Sequence, residues 1–207
     1  MRCAVVFDLE FTAWPGSMDH RWLRPGEFRE VVQIGAVKID AASLAEVAAF
    51  DRLIKPRLNP ELSPYLQTLT GITNRAVAER GVDFAEAYRA FVAFADGARL
   101  FAYGRDDLVL TDNLALYGLK EMPPLPPYTN IVPWLVERGI DMRGLHACDI
   151  AGAAGAVFAG RRHDALEDAR SVALGVRTLV LGGAPNPYLA DYRAPEPSWR
   201  EATRAAP

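Results

Sequence analysis

Residues 3–12, CAVVFDLEFT, run from an unbroken apolar segment directly into Asp8 and Glu10. Such a segment suits a strand buried on both faces, with its carboxyl end at the edge of a sheet. The strand period of two turns Asp8 and Glu10 to the same side, and two carboxylates on one side repel unless something positive lies between them. Strand carboxyl ends are also where open α/β sheets place their ligands. An isolated pair of acids often marks only a solvated strand end, so the rest of the chain has to decide.

Working outward, VVQIGAVKI at 31–39 and AAFDRLIK at 48–55 read as two more strands, the latter stopped by Pro56. Three strands in succession pair most economically as hairpins. NPELSPYLQTLTGIT at 59–73 reads as loop with short helical turns. Asp83 then opens a core helix in which Phe84, Ala87, Tyr88, Phe91 and Phe94 recur at helical spacing, closed by Gly97. RLFAY at 99–103 is a fourth strand, followed by Gly104 and a helix through DLVLTDNLALYGL. PPLPP at 123–127 is a stiff connector to a short strand and helix around NIVPWLVERG, and further helices are expected near 145–158 and 165–181. The alternation gives an α/β protein, a mixed sheet with helices on its faces. Residues 1–182 form one expected domain, and 183–207 a Pro-rich tail carrying Tyr188, Tyr192 and Trp199, either disordered or strapped down by those aromatics.

Two further sites hold acids. In YGRDD at 103–107 a strand ends and a helix begins, so one of Asp106 and Asp107 can serve as the helix cap and one is left over. In HDALED at 163–168, Asp164 and Glu167 have capping-box spacing, which starts the last helix at Ala165. Capping absorbs those two acids and leaves Asp168 one turn into the helix and His163 just before it.

FDLEFT, then an acid after the fourth strand, then HDALEDA opening a C-terminal helix resembles the DEDDh 3′–5′ exonucleases. VVQIGAVKID and LTGIT at 69–73 are similar to that family's second strand and loop motif, and TNIVPWL is similar to the enhanced-RNAi branch, which trims RNA 3′ ends. The resemblance covers roughly residues 3–181. It implies an RNase H-like mixed five-stranded sheet with helices on both faces. It also implies metal ligands at Asp8, Glu10, Asp107 and Asp168 and a general base at His163. Asp107 is chosen because the family's acid stands three residues after the glycine; the family often carries an aromatic where Asp106 stands, which leaves Asp106 or Asp107 open. Gln33 stands where a glutamate is common. Backbone around Leu9, Phe11 and Thr12 would face the terminal nucleotide, with Leu69 wedged against its base. Trp14 would stack on a base or serve as a buried structural residue. Arg161 and Arg162 beside His163 would hold a phosphate or form ordinary solvated surface.

Physical chemistry supports the same assignment. Four carboxylates from three separated segments tolerate one another only around hard divalent cations, and all-oxygen coordination favours Mg²⁺ or Mn²⁺ over zinc. Two such ions per site, with Asp8 bridging them, suit in-line attack of water on a phosphodiester, and a near-neutral histidine on a loop suits deprotonation of that water. The expected activity is release of nucleoside 5′-monophosphates from the 3′ end of a single strand, RNA favoured over DNA. The alternatives are a catalytically weak exonuclease-like binding module or a DNA proofreading-type exonuclease. A carboxylate-based phosphatase or glycosidase gives no reason for His163.

Composition narrows the setting. The 207 residues are half hydrophobic and a quarter charged, so the chain buries a core without disulfide or metal, and any metal would serve chemistry. A formal charge of −3 argues against a broad basic nucleic-acid-binding face; only Lys38, Lys55 and Lys120 are lysine among 23 basic residues, a bias that GC-rich coding would also produce. No signal peptide or membrane-spanning stretch is expected. Cys3 and Cys148 lack zinc-ligand spacing, which fits a reduced cytoplasmic compartment. Oligomeric state leaves no trace in the sequence.

Overall fold

The computed structural model describes residues 2–189. Its centre is β1 (Cys3–Phe11), which pairs antiparallel with β2 (Val31–Asp40); β2 pairs antiparallel with β3 (Glu46–Leu53). On the other side β1 pairs in parallel with β4 (Arg99–Ala102), and β4 with β5 (Tyr128–Asn130). The five-stranded order β3-β2-β1-β4-β5 is the RNase H-like mixed sheet that the sequence implied.

Side-chain alternation along β1 sorts its residues between two cores. Val5, Phe7 and Leu9 pack with α3 (Phe84–Ala95), where Phe7 and Phe91 lie with ring centroids 5.1 Å apart. Ala4 and Val6 face the other way, onto α7 (Ala165–Leu181) through its Ala169, Val172 and Val176. Each fully buried aliphatic side chain in these layers contributes roughly 1.5–3 kcal/mol relative to exposure. Asp8 and Glu10 continue the even-numbered series, so the strand period aims both along the α7 face.

The approach of α7 to the sheet is set by β2. Gly35 pairs with Asp8 and Gln33 with Glu10. A Cβ on Gly35 would collide with the backbone of Ala165 and Leu166, so only glycine lets the first turn of α7 lie against the strand. Beside it the Gln33 Oε1 accepts a hydrogen bond from the Ala165 amide at 3.1 Å, while its Nε2 donates to Asp51 at 3.0 Å. The Asp164 carboxylate caps the helix, accepting from the amides of Leu166 and Glu167 at 3.1 and 3.3 Å. Gln33 is therefore an anchor for the helix start as well as a packing residue.

Within 59–73 the short helical turns expected there are α1 (Pro64–Thr70), and α2 (Asn74–Arg80) follows where no element was expected. After β4 come α4 (Asp106–Leu116) and, beyond β5, α5 (Val132–Val136). The helix expected near 145–158 is reduced to a 3-10 turn at Ala147–Asp149 and the four-residue α6 (Ile150–Ala153). Gly155, with φ +89, turns the chain out of it into an irregular segment. Tyr188 is buried edge-on against Phe101, centroids 5.0 Å apart, and the Asn186 amide donates to the Ala41 carbonyl at 2.8 Å. Tyr192 and Trp199 of the expected tail lie outside the described residues. No described helix is long and apolar enough to cross a membrane.

One buried acid had no signal in the sequence. Glu30, fully buried, accepts at Oε1 from the amides of Arg57 at 2.6 Å and Leu58 at 2.8 Å, and at Oε2 from the amide of Asn59 at 2.6 Å. The Tyr117 hydroxyl donates to the same carboxylate at 2.6 Å. This carboxylate ties the entry to β2, the segment after β3 and the end of α4 into one unit. Glu30→Ala strands four donors without a partner and should destabilise the fold by on the order of 3 kcal/mol, read from urea unfolding. A loss below about 0.5 kcal/mol, typical of a neutral surface position, would show that the carboxylate does not hold these segments together.

Candidate metal-dependent active site

Three segments deliver acids to one cleft of about 620 Å³ at the carboxyl ends of β1 and β4. β1 supplies Asp8 and Glu10, for the reason of strand period given above. β4 ends at Ala102, and Gly104, with φ +107, turns the chain so that α4 begins at Asp106 with its carboxylate facing the cleft. The turn is fixed by the Tyr128 hydroxyl on the Gly104 carbonyl and by the Gly104 amide donating to Asn130 at 3.2 Å. α7 supplies Asp168, only 3 % exposed, and the loop before it supplies His163.

Asp107 does not join this group. Its two carboxylate oxygens each take a 2.9 Å hydrogen bond from the Arg105 guanidinium, a bidentate pair, and it does not line the cleft. Asp106, the alternative that the sequence left open, lines the cleft, and Asp107 does not. Consecutive residues at a helix start point about 100° apart, so only one of them can face the cleft.

The electrostatics of the four acids are those of an uncompensated cluster. Burial holds Asp8 well above the ordinary carboxylate range, reinforced by Asp106, Glu10 and Asp168. Glu10 is raised likewise by burial, then by Asp168, Asp164 and Asp106. Asp106 is pushed up to about 7 by burial and by Asp107, with Arg29 opposing. Asp168 also rises to about 7, through burial above all, despite a hydrogen bond from the His163 backbone. One oxygen of Asp106 and one of Asp168 are buried without a hydrogen-bond partner. Glu10, His163 and Asp168 each bring a potential ligand atom within 4.8 Å of the others. Unspent buried oxygens among mutually repelling acids are the donor set that a hard divalent cation satisfies.

His163 occupies left-handed backbone, φ +56, a conformation histidine tolerates better than most residues. Burial lowers its pKa, and His146 and Arg162 lower it further, which keeps the imidazole neutral and able to accept a proton. The His146 ring lies edge-on to it, centroids 5.7 Å apart, and lines the same cleft. His146 escaped sequence reading because a single histidine in a loop has no spacing partner.

Apolar and aromatic side chains also line the cleft. Phe11, Trp14, Met18, Trp22, Tyr65 and Leu69 form this wall with Leu9, beside the polar Ser17 and Asp19. Trp22 is anchored by its indole N–H on the Thr12 carbonyl at 2.7 Å and by the Arg29 guanidinium 5.3 Å from its ring centroid. Thr12 is not part of that wall. It is buried, its hydroxyl donates to the Phe28 carbonyl, and it accepts from the Glu30 amide at 2.9 Å, so it braces the 13–28 excursion. Arg162 is spent on Asp149, with Nη2 to Oδ2 at 3.2 Å.

Comparison with known proteins agrees with this fold. Residues 5–174 match the exonuclease family model RNase T, and the chain belongs to that family of nucleases. The nuclease domain of 3′hExo, a DEDDh family member bound to rAMP, superposes with a TM-score of 0.74 at 22% identity, covering 88% of this chain and 93% of that domain. Cell-death related nuclease 4 superposes with a TM-score of 0.69 at 20% identity, covering 89% of this chain and 65% of that one. E. coli exonuclease I in complex with a dA16 oligonucleotide gives 0.60 at 14%, over 87% of this chain and 41% of that one. No curated protein sequence matches the chain.

Gly35→Ala tests how the site is held. The added methyl must push the first turn of α7 off the sheet, carrying His163 and Asp168 with it. We expect about 3 kcal/mol of lost stability in thermal unfolding, at the upper end of overpacking costs, together with loss of nuclease activity. Retained stability and activity would show that α7 does not need this close approach.

Proposed function

We propose that the chain is a divalent-metal-dependent 3′–5′ exonuclease that trims single-stranded nucleic acid, RNA in preference to DNA, and releases nucleoside 5′-monophosphates. The observation that carries this reading is the meeting of Asp8, Glu10, Asp106 and Asp168 in one cleft, with two of their buried oxygens unpaired. These four would hold two Mg²⁺ or Mn²⁺ ions, Asp106 replacing Asp107 in the set. Bound there, the ions would polarise the attacking water and neutralise charge on the phosphodiester.

The chain's own residues do the remainder. His163, kept neutral by burial, takes the proton from the attacking water; its loop position lets it reach a water held over the carboxylates. Phe11, Trp14, Trp22 and Leu69 offer apolar and aromatic surface for an unstacked terminal base. The RNA preference rests on the resemblance to the enhanced-RNAi branch. It is supported by the higher superposition scores of 3′hExo structures, one bound to rAMP and one described as recognising a histone mRNA stem-loop, than of the exonuclease I complex with DNA. The free thiols of Cys3 and Cys148 fit a reducing, cytoplasmic setting.

Cleavage of matched 5′-labelled RNA and DNA strands tests the reading. We expect stepwise shortening from the 3′ end in Mg²⁺, faster on RNA, none in excess EDTA and none on a circular strand. Asp106→Asn should lower turnover at least 10³-fold, as loss of a ligand or charge-stabilising group in a preorganised site does, whereas Asp107→Asn should stay within about tenfold of wild type. The opposite ranking of the two variants would return the ligand to Asp107, and metal-independent cleavage would refute the mechanism. Replacing His163 with Ala should lower kcat by about 10²–10⁴, measured in single turnover, while Mn²⁺ affinity persists. Near-wild-type chemistry would remove it from the proton transfer.

A further inference from the structure

Building on the exonuclease reading, we propose that Arg161 grips the phosphodiester on the 5′ side of the scissile bond, at the rim where the strand leaves the cleft. The two arginines before His163 have different fates. Arg162 is neutralised by Asp149, whereas Arg161 forms no ion pair or hydrogen bond with any described residue, and its side chain is exposed.

Arg161 is nevertheless not loose. Gly71 caps α1 with φ +67, and a Cβ there would overlap the Arg161 guanidinium, so the side chain rests directly against that bare backbone. Gly71 lies two residues after Leu69, and Arg161 two residues before His163, and both Leu69 and His163 line the cleft. The contact therefore brings an unneutralised guanidinium beside two segments that line the cleft, outside the ring of acids.

That location has an electrostatic reason. A strand threading towards Asp8, Glu10, Asp106 and Asp168 brings its phosphates past four carboxylates, on a chain with a formal charge of −3. The next phosphate along needs a local cation. Guanidinium presents five donors in a planar fork suited to bidentate contact with phosphate oxygens, which lysine's point charge does not reproduce. A seat on glycine backbone holds that fork in place without spending its charge. Arg161 would thus make the enzyme prefer substrates with at least one upstream phosphodiester.

The test compares two substrates with the full chain in Mg²⁺: a single-stranded oligonucleotide and the p-nitrophenyl ester of thymidine 5′-monophosphate, which has no upstream phosphodiester. Arg161→Ala should raise KM for the oligonucleotide about tenfold and leave hydrolysis of the ester unchanged, with Arg161→Lys recovering part of the loss. The dependence of log affinity on log salt, from fluorescence anisotropy of a labelled oligonucleotide in Ca²⁺, should become shallower by about 0.7, one phosphate contact on a single strand. Equal losses of kcat on both substrates would show that Arg161 only positions the His163 loop and would overturn the proposal. So would no change on either. If the wild-type chain cleaves neither substrate, the exonuclease reading fails separately, and anisotropy alone judges Arg161: equal affinity of wild type and Arg161→Ala refutes it.

Discussion

The close approach of α7 to β2 at Gly35 is the constraint on which the rest of the structure depends. Asp8 and Glu10 are fixed by the strand they belong to, but Asp168 and His163 reach them only because a helix start lies directly on the sheet. Three local features make that contact: the missing side chain of Gly35, the Gln33 carbonyl on the Ala165 amide, and the Asp164 cap. Each concerns the first turn of one helix, and together they set the spacing of the carboxylates across the cleft.

Bringing those acids together is costly without a cation. Burial is the largest cause of the raised pKa at all four, and mutual repulsion adds to it at Asp8 and Glu10. A fold organised only for stability would pair or hydrogen-bond such groups, as it does at Glu30, where three amides and a hydroxyl surround a fully buried carboxylate. The contrast between a satisfied acid at Glu30 and unsatisfied ones at Asp106 and Asp168 separates scaffold from site. Asp107 falls with the satisfied acids, its charge answered by Arg105.

Much of this was legible in sequence because the relevant signals are local. A buried strand ending in Asp8 and Glu10, and a capping box that leaves Asp168 and His163 unexplained, both depend on short-range periodicity. Which of Asp106 and Asp107 faces the cleft was not legible, since adjacent acids at a helix start differ only in direction, and direction follows from the Gly104 turn and the Arg105 side chain. The hydroxyl of Thr12 braces residues 28–30, a role that the resemblance, which spoke only for the backbone there, did not show. His146 and Glu30 act through partners remote in sequence, so no spacing rule reveals them. The helix expected at 145–158 shows that apolar content with glycines at 152 and 155 does not sustain a long helix.

The central claim is that the four cleft carboxylates form a binding site for divalent cations, and direct titration tests it most simply. Calorimetric titration of the metal-free chain with Mn²⁺ at neutral pH should show saturable binding with release of protons, because acids raised towards neutrality must give them up to the ion. In Asp106→Asn that binding should weaken at least tenfold, whereas Asp107→Asn should bind as wild type does. Absence of saturable binding in the wild-type chain, or equal binding by Asp106→Asn, would contradict the account.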